Sequence, residues 1–272
     1  MRNDLNSKLP ISRRKFIKGA AGASAAAALL GQPMLGAAQN SFSQKNAKRK
    51  LFIVHLSGGN DSVNTLVPYT STAYYASRPT ISLHEHELIK VNGLYAFNSA
   101  MKEVAELYKK GMVAAFTNTG CRDGLTMSHE RASEIWRTAK PHSIECDDWF
   151  SSLEGVLMTT IDGFDTHADQ KETQNRALRR LSRLVDRTLN ENSDTLVLVY
   201  SEFGRSIEEN EMAGTEHGGN GLTLVIGSSV RGGVYDAEID FRQVYKTLAL
   251  NWFQSSKTHT IANDSFDTLA FV

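Results

Sequence analysis

The feature that most constrains this chain is a recurring join. A short apolar run stops at glycine, and ionisable side chains follow at once. Leu51-Phe-Ile-Val-His-Leu56 runs into Ser57-Gly-Gly-Asn-Asp61, and Gly155 to Ile161 runs into Asp162-Gly-Phe-Asp-Thr-His167. Thr195 to Tyr200 runs into Ser201-Glu-Phe-Gly-Arg205, while Gly214-Thr-Glu-His-Gly-Gly-Asn220 precedes the apolar run Leu222 to Ile226. A buried strand spends its backbone polar groups on the sheet, whereas the turn beyond its end is free to aim side chains into a crevice.

Between these runs the period changes from strand to helix. Phe97, Ala100, Met101, Val104, Ala105 and Tyr108 repeat at helical spacing before a second apolar run, Met112 to Phe116. Ala177, Leu178, Leu181, Leu184, Val185 and Leu189 form one apolar face of a long helix, and Phe241 to Phe253 reads as a closing amphipathic helix. Val234-Tyr235 reads as a short edge strand. Strands alternating with helices predict an α/β domain over residues 51–272, a mostly parallel sheet covered by helices on both faces.

The amino terminus is an address rather than part of that domain. Ser12-Arg-Arg-Lys-Phe-Ile-Lys18 precedes a small-residue apolar stretch, Gly19 to Leu30, too short and too weakly apolar for a stable membrane span. This pattern predicts a twin-arginine export signal over residues 1–38, cleaved after Gly36-Ala37-Ala38, and a polar linker over 39–50. The translocation machinery is then a partner, and the chain works in the periplasm or outside the cell. The whole chain has 30 basic and 30 acidic residues, and without its basic leader it is mildly acidic. No basic stripe or aromatic-basic interleaving points to nucleic acid. Cys121 and Cys146 are the only cysteines; an oxidising compartment permits a bridge, and a pair of free thiols is the equal alternative.

If the strand ends share one edge, Asp61, Asp165, His167, Glu202, Glu216 and His217 converge there although they are distant in sequence. Mixed carboxylate and imidazole ligands suit zinc or manganese better than calcium. His84-Glu-His86 lies in a polar connection and reads as solvated, and His55, inside a strand pattern, reads as a satisfied core histidine.

Five ordered motifs carry a family resemblance: Ser57-Gly-Gly-Asn-Asp-Ser-Val-Asn-Thr-Leu-Val-Pro68, Gly163-Phe-Asp-Thr-His-Ala-Asp-Gln170, Ser201-Glu-Phe-Gly-Arg205, Gly214-Thr-Glu-His-Gly218 and Asp240-Phe-Arg-Gln-Val-Tyr245. They resemble the twin-arginine-exported family catalogued as domain of unknown function 1501, which is similar to the alkaline phosphatase and sulfatase superfamily. The resemblance implies an alkaline phosphatase-like fold with one or two divalent ions. Asp61 is then the ligand from the first strand, Asp165, His167 and His217 bind the other metal, and Glu202 is a further acidic ligand. It also implies hydrolysis of a small phosphate or sulfate ester, with Ser128 as nucleophile and Arg205 or Asn64 on the outer oxygens. Ser128 reads equally well as the N-cap of a helix over His129 to Thr138. A non-catalytic envelope binding or assembly protein of the same fold is the alternative. The stretch from Trp136 to Gly155 is short for the family, whose corresponding region supplies helices and part of the substrate cap; an internal truncation there leaves either a metal edge without a substrate pocket or a sheet missing a covering helix.

Overall fold

Alternation along one strand explains how the sheet is covered. In β7 (Thr195–Ser201) every residue is buried. Leu196, Leu198 and Tyr200 belong to one apolar cluster, and Val197 and Val199 to the cluster on the other face.

The computed structural model describes residues 49–144, 147–255 and 266–272. The expected leader, residues 39–48 of the linker, and Cys146 lie outside the described residues. Residues 47–272 form one unit. Its order is β1 (Lys50–Ser57), β2 (Leu66–Val67), α1 (Thr72–Ser77), β3 (Leu88–Lys90), β4 (Ala96–Asn98), α2 (Lys102–Lys109) and β5 (Val113–Gly120). There follow α3 (His129–Thr138), β6 (Val156–Asp162), α4 (Gln170–Glu191), β7, β8 (Gly221–Ile226), β9 (Gly233–Asp240) and α5 (Phe241–Thr247). The last helix runs on into a π turn over Leu248–Trp252.

Six strands form the main sheet in the order β6-β1-β7-β8-β5-β9, and β2-β4-β3 form a small antiparallel sheet. β6, β1 and β7 run parallel, as do β5 and β9. The expected α/β sheet is therefore mostly parallel, with one correction: the run Leu222 to Ile226 forms β8, which is antiparallel to both neighbours. The hairpin-like return from β7 through Gly204 to Gly219 reverses the chain without a crossover helix, and only an antiparallel strand can follow it. Phe97 departs from its predicted helix for the same kind of reason: it pairs with Leu66 and Ile89 in the small sheet, and the helix begins after it. The edge strand read at Val234-Tyr235 extends to Asp240, where it caps α5 through a bond from Arg242 N.

Helices lie on both faces. α3 and α5 bring Ile135, Trp136, Val244 and Tyr245 against Ile53, Leu198 and Tyr200. α2 and α4 bring Val104, Leu178, Leu181 and Val185 against Val54, Leu56 and Val197. Among the described residues of 139–155 there is no helix. Trp149 from this stretch joins the α3 and α5 cluster, 2% accessible and stacked on Tyr245 at 4.2 Å between ring centroids. No helix among the described residues is long and apolar enough to cross a membrane.

Candidate metal centre

The turns after β1, β6 and β7, the loop after β5, and the turn before the reversed β8 share one edge of the sheet. Two glycines bring them close. Gly58 adopts φ +120, and a Cβ there would lie 2.2 Å from Asp165 N, so only glycine lets the Asp165 loop cross the Gly58 turn. A Cβ on Gly204 would lie 2.2 Å from Asn220 O, in the ladder where Arg205 pairs with His217. That pairing is what sets His217 beside the loop after β6.

Four side chains meet there: His129 from the first turn of α3, Asp165 and His167 after β6, and His217. His129, Asp165 and His217 each offer a ligand atom within 4.8 Å of the others. His167 Nε2 lies 3.0 Å from His217 Nε2 and 3.1 Å from Asp165 Oδ1, and His217 Nε2 lies 3.3 Å from the same oxygen.

The outer nitrogens explain why the inner ones face each other. His129 Nδ1 is 2.8 Å from Glu202 Oε1, His167 Nδ1 is 3.1 Å from Glu216 Oε2, and His217 Nδ1 is 3.2 Å from Met127 O. Carboxylates and a carbonyl only accept, so each Nδ1 is placed to donate to its oxygen; on the inner side Asp165 Oδ1 is within reach of the Nε2 atoms of His167 and His217, and Arg205 Nη1 lies 3.3 Å from His167 Nε2. His129 Nε2 is buried without a hydrogen-bond partner, and Asp165 Oδ2 stands 3.6 Å away. The Nε2 atoms of His167 and His217, 3.0 Å apart beside this carboxylate, are close enough to share a proton or a cation. Imidazoles anchored through Nδ1 on oxygen acceptors are the usual outer layer of a transition-metal site. Asp165 is about half exposed and the histidines are partly so, which leaves the cluster open on one side.

The remaining expected residues divide. Glu202 is at this edge but faces away from the inner nitrogens. Its Oε1 also accepts from Gly58 N at 2.8 Å and its Oε2 from His55 Nε2 at 3.0 Å. Burial pushes its carboxyl up, but the bonds from His55 and His129 prevail and hold it at about 2. Arg205 touches Asp165 Oδ1 at 2.5 Å and its Nη1 lies 3.3 Å from His167 Nε2, while its donors also reach Gly58 O, Gly59 O, Phe164 O and Thr215 O, so it staples turns together at the cluster. Burial raises the Asp165 carboxyl, and the contacts with Arg205 and His217 outweigh that and leave it below the usual carboxylate range.

Asp61 and Asn64 are not brought to the cluster. Asp61, 1% accessible, faces Arg78 Nη1 at 2.5 Å and accepts from Gln170 Nε2. Asn64 Oδ1 accepts from Arg78 and from Tyr74 Oη at 2.8 Å, and its amide donates to Ile81 O. The Arg78 guanidinium is fully buried and supplies the positive charge among these groups. Ser128 is exposed, and its Oγ accepts from Arg131 N at 3.4 Å as the N-cap of α3. Sequence reasoning singled out Ser128 and passed over His129. The available signal was the helix start, because a residue just past an N-cap at a sheet edge is aimed at the crevice.

Cys121 is a half-buried free thiol beside this edge, and its expected partner Cys146 is not among the described residues. Leu125, Ile135, Trp136, Phe203 and Glu202 line a cavity of about 10 Å³, room for one water. His84 and His86 are exposed, as expected of a solvated connection.

Residues 154–249 match the model of a protein family of unknown function, DUF1501. Residues 10–30 match the twin-arginine translocation pathway signal sequence. The signal directs export across the cytoplasmic membrane, to the periplasm or beyond, and engages the translocation machinery on the way. The family match spans Asp165, His167, Glu202, Arg205 and His217 and stops short of Asp61, Asn64, Ser128 and His129. No curated protein matches the chain.

Proposed function

We propose that this is an exported metal-dependent hydrolase that holds one divalent transition metal through His129, Asp165, His167 and His217. The observation that carries the reading is the set of three imidazoles, each near an oxygen acceptor at Nδ1, with His167 and His217 meeting at Nε2 and His129 Nε2 facing Asp165. Three nitrogens and one oxygen suit zinc, with manganese the second choice. A single ion is favoured over two because Asp61, the residue a second ion would need, is shut in against Arg78 and Gln170, whereas Asp165, though it meets Arg205, is half exposed. When bound, such an ion supplies Lewis-acid polarisation of an ester oxygen.

The chain's own residues do the rest. Glu202, Glu216 and Met127 O fix the rings, and Arg205 draws Asp165 toward the edge. The choice of a phosphate or sulfate ester, and of Ser128 as nucleophile, rests on the resemblance to the alkaline phosphatase and sulfatase superfamily and on the position of Ser128 next to His129. Mass-spectrometric metal analysis of the chain from Gln39 onward tests the reading. One equivalent of zinc or manganese, lost in His217→Ala and in His129→Ala, is the expected result; a folded, metal-free chain that takes up neither ion rejects it. An ester screen with Ser128→Ala as control follows.

A further inference from the structure

Glu202 sits where an acidic ligand is expected, yet its oxygens are already engaged. Oε1 accepts from Gly58 N and His129 Nδ1, both at 2.8 Å, and Oε2 accepts from His55 Nε2 at 3.0 Å with Ser201 Oγ at 3.2 Å. Its side chain is fully buried. The strand pattern puts it there. Leu196, Leu198 and Tyr200 point to the α3 face, and Glu202 continues that alternation one step past the strand end, beneath the first turn of α3.

His55 is paired with Tyr200 in register across β1 and β7, and the two rings stack at 5.2 Å. Tyr200 in turn stacks on Trp136 of α3 at 4.8 Å. The histidine is thus held by the core and delivers its Nε2 to the carboxylate, and the carboxylate delivers its other oxygen to His129.

We infer that Glu202 and His55 are a positioning pair rather than ligands: Glu202 turns the His129 ring so that Nε2 faces the site, and His55 holds Glu202 in that orientation. The inference rests on the metal site proposed above and extends it inward by two residues. Glu216, which plays the corresponding part for His167, is 63% exposed in its side chain, so water can replace it and its effect is smaller.

Cobalt(II) titration of the chain from Gln39 onward tests this, with affinity and the visible ligand-field spectrum both read and far-UV circular dichroism as the fold control. Glu202→Gln and His55→Leu are expected to weaken cobalt about 10–100-fold while leaving the shape of the spectrum that of the parent chain, since no ligand is lost. Glu216→Gln is expected to weaken it less than either. His129→Ala, which removes a ligand, changes the spectrum. His55→Gln, which keeps a donor toward Glu202, is expected to recover most of the affinity lost in His55→Leu.

A Glu202→Gln chain that binds cobalt as tightly as the parent overturns the pair, and so does one whose spectrum changes as in His129→Ala, which would make Glu202 a ligand. In both cases the metal site itself stands. If Glu202→Gln fails to fold, the His55 variants decide: equal affinity in the leucine and glutamine forms overturns the inference. A parent chain that takes up no cobalt sinks the metal site and the positioning pair together.

Discussion

Asp61→Asn separates a ligand from a structural counter-charge more sharply than any other change in this chain. The substitution keeps the volume and removes the negative charge that faces Arg78 at 2.5 Å. Arg78 remains fully buried, with Ile207 O, Ser206 O and Asn64 Oδ1 as partners but no formal charge to balance it. Breaking a buried ion pair from one side costs about 3–5 kcal/mol. With a urea slope of about 2–3 kcal/mol per molar for a domain of this size, the unfolding midpoint falls by roughly 1–2 M. The metal content of the folded fraction stays at its parent value, because Asp61 does not reach the histidines. A double variant, Asp61→Leu with Arg78→Met, removes both charges and is expected to recover much of the loss, since apolar replacements of a buried pair are often neutral. Equilibrium urea unfolding followed by circular dichroism, with metal analysis of the same samples, reads both quantities. An Asp61→Asn chain of parental stability that has lost its metal refutes the reasoning and makes Asp61 a ligand.

Three further outcomes follow from the same geometry. Glu202 is held at about 2, below the ordinary carboxylate value near 4.5, so its stabilisation is complete above pH 4.5 and is lost as pH falls toward 2. That difference corresponds to something on the order of 3 kcal/mol, and acid unfolding of Glu202→Gln should show a shallower loss across this window than the parent chain. Ser128→Asp keeps an N-cap acceptor for Arg131 N and removes the hydroxyl, whereas Ser128→Ala loses both and costs about 1 kcal/mol of stability. If Ser128 is the nucleophile, both variants lose ester hydrolysis while only the alanine form loses stability; equal hydrolysis in all three removes Ser128 from the reaction. Trp149→Ala leaves a cavity beside Tyr245 under α5 and is expected to cost about 3–5 kcal/mol by thermal or urea unfolding, and a cost under 1 kcal/mol would show that Trp149 adds little to this face.

Much of the fold was legible because two periodicities dominate it. The runs Leu51 to Leu56, Met112 to Phe116 and Thr195 to Tyr200 became strands because each is largely buried between helices and needs no polar face, and Gly155 to Ile161 became the partly exposed edge strand beside them. The helix from Gln170 to Glu191 followed from one apolar stripe among arginines. The direction of β8 was not legible, since a parallel and an antiparallel central strand have the same composition. Only the ladder between Gly204 and Gly219 decides it, and that is a long-range backbone pairing. The small sheet of β2, β3 and β4 was equally hidden, because strands of two or three residues leave no period to read.

The site divides along the same line between local and long-range information. Asp165, His167 and His217 were legible because each follows or precedes a strand by a few residues at the same sheet edge. Asp61 satisfies that rule too, and the structure still withdraws it from the cluster. The difference is Arg78, seventeen residues on, which reaches back from the C-cap of α1 into the turn after β1. Nothing local in the sequence ties Arg78 to Asp61. Asp165 also meets a buried arginine, Arg205, but it is half exposed, whereas Asp61 is shut in against Arg78; burial likewise places Glu202, which faces two histidines and a backbone N–H, behind the proposed ligands. His129 gains its place by the converse: its Nδ1 is claimed and its Nε2 is not. The partners and burial of each side chain, rather than which residue types stand at the edge, decide which of them are proposed as ligands.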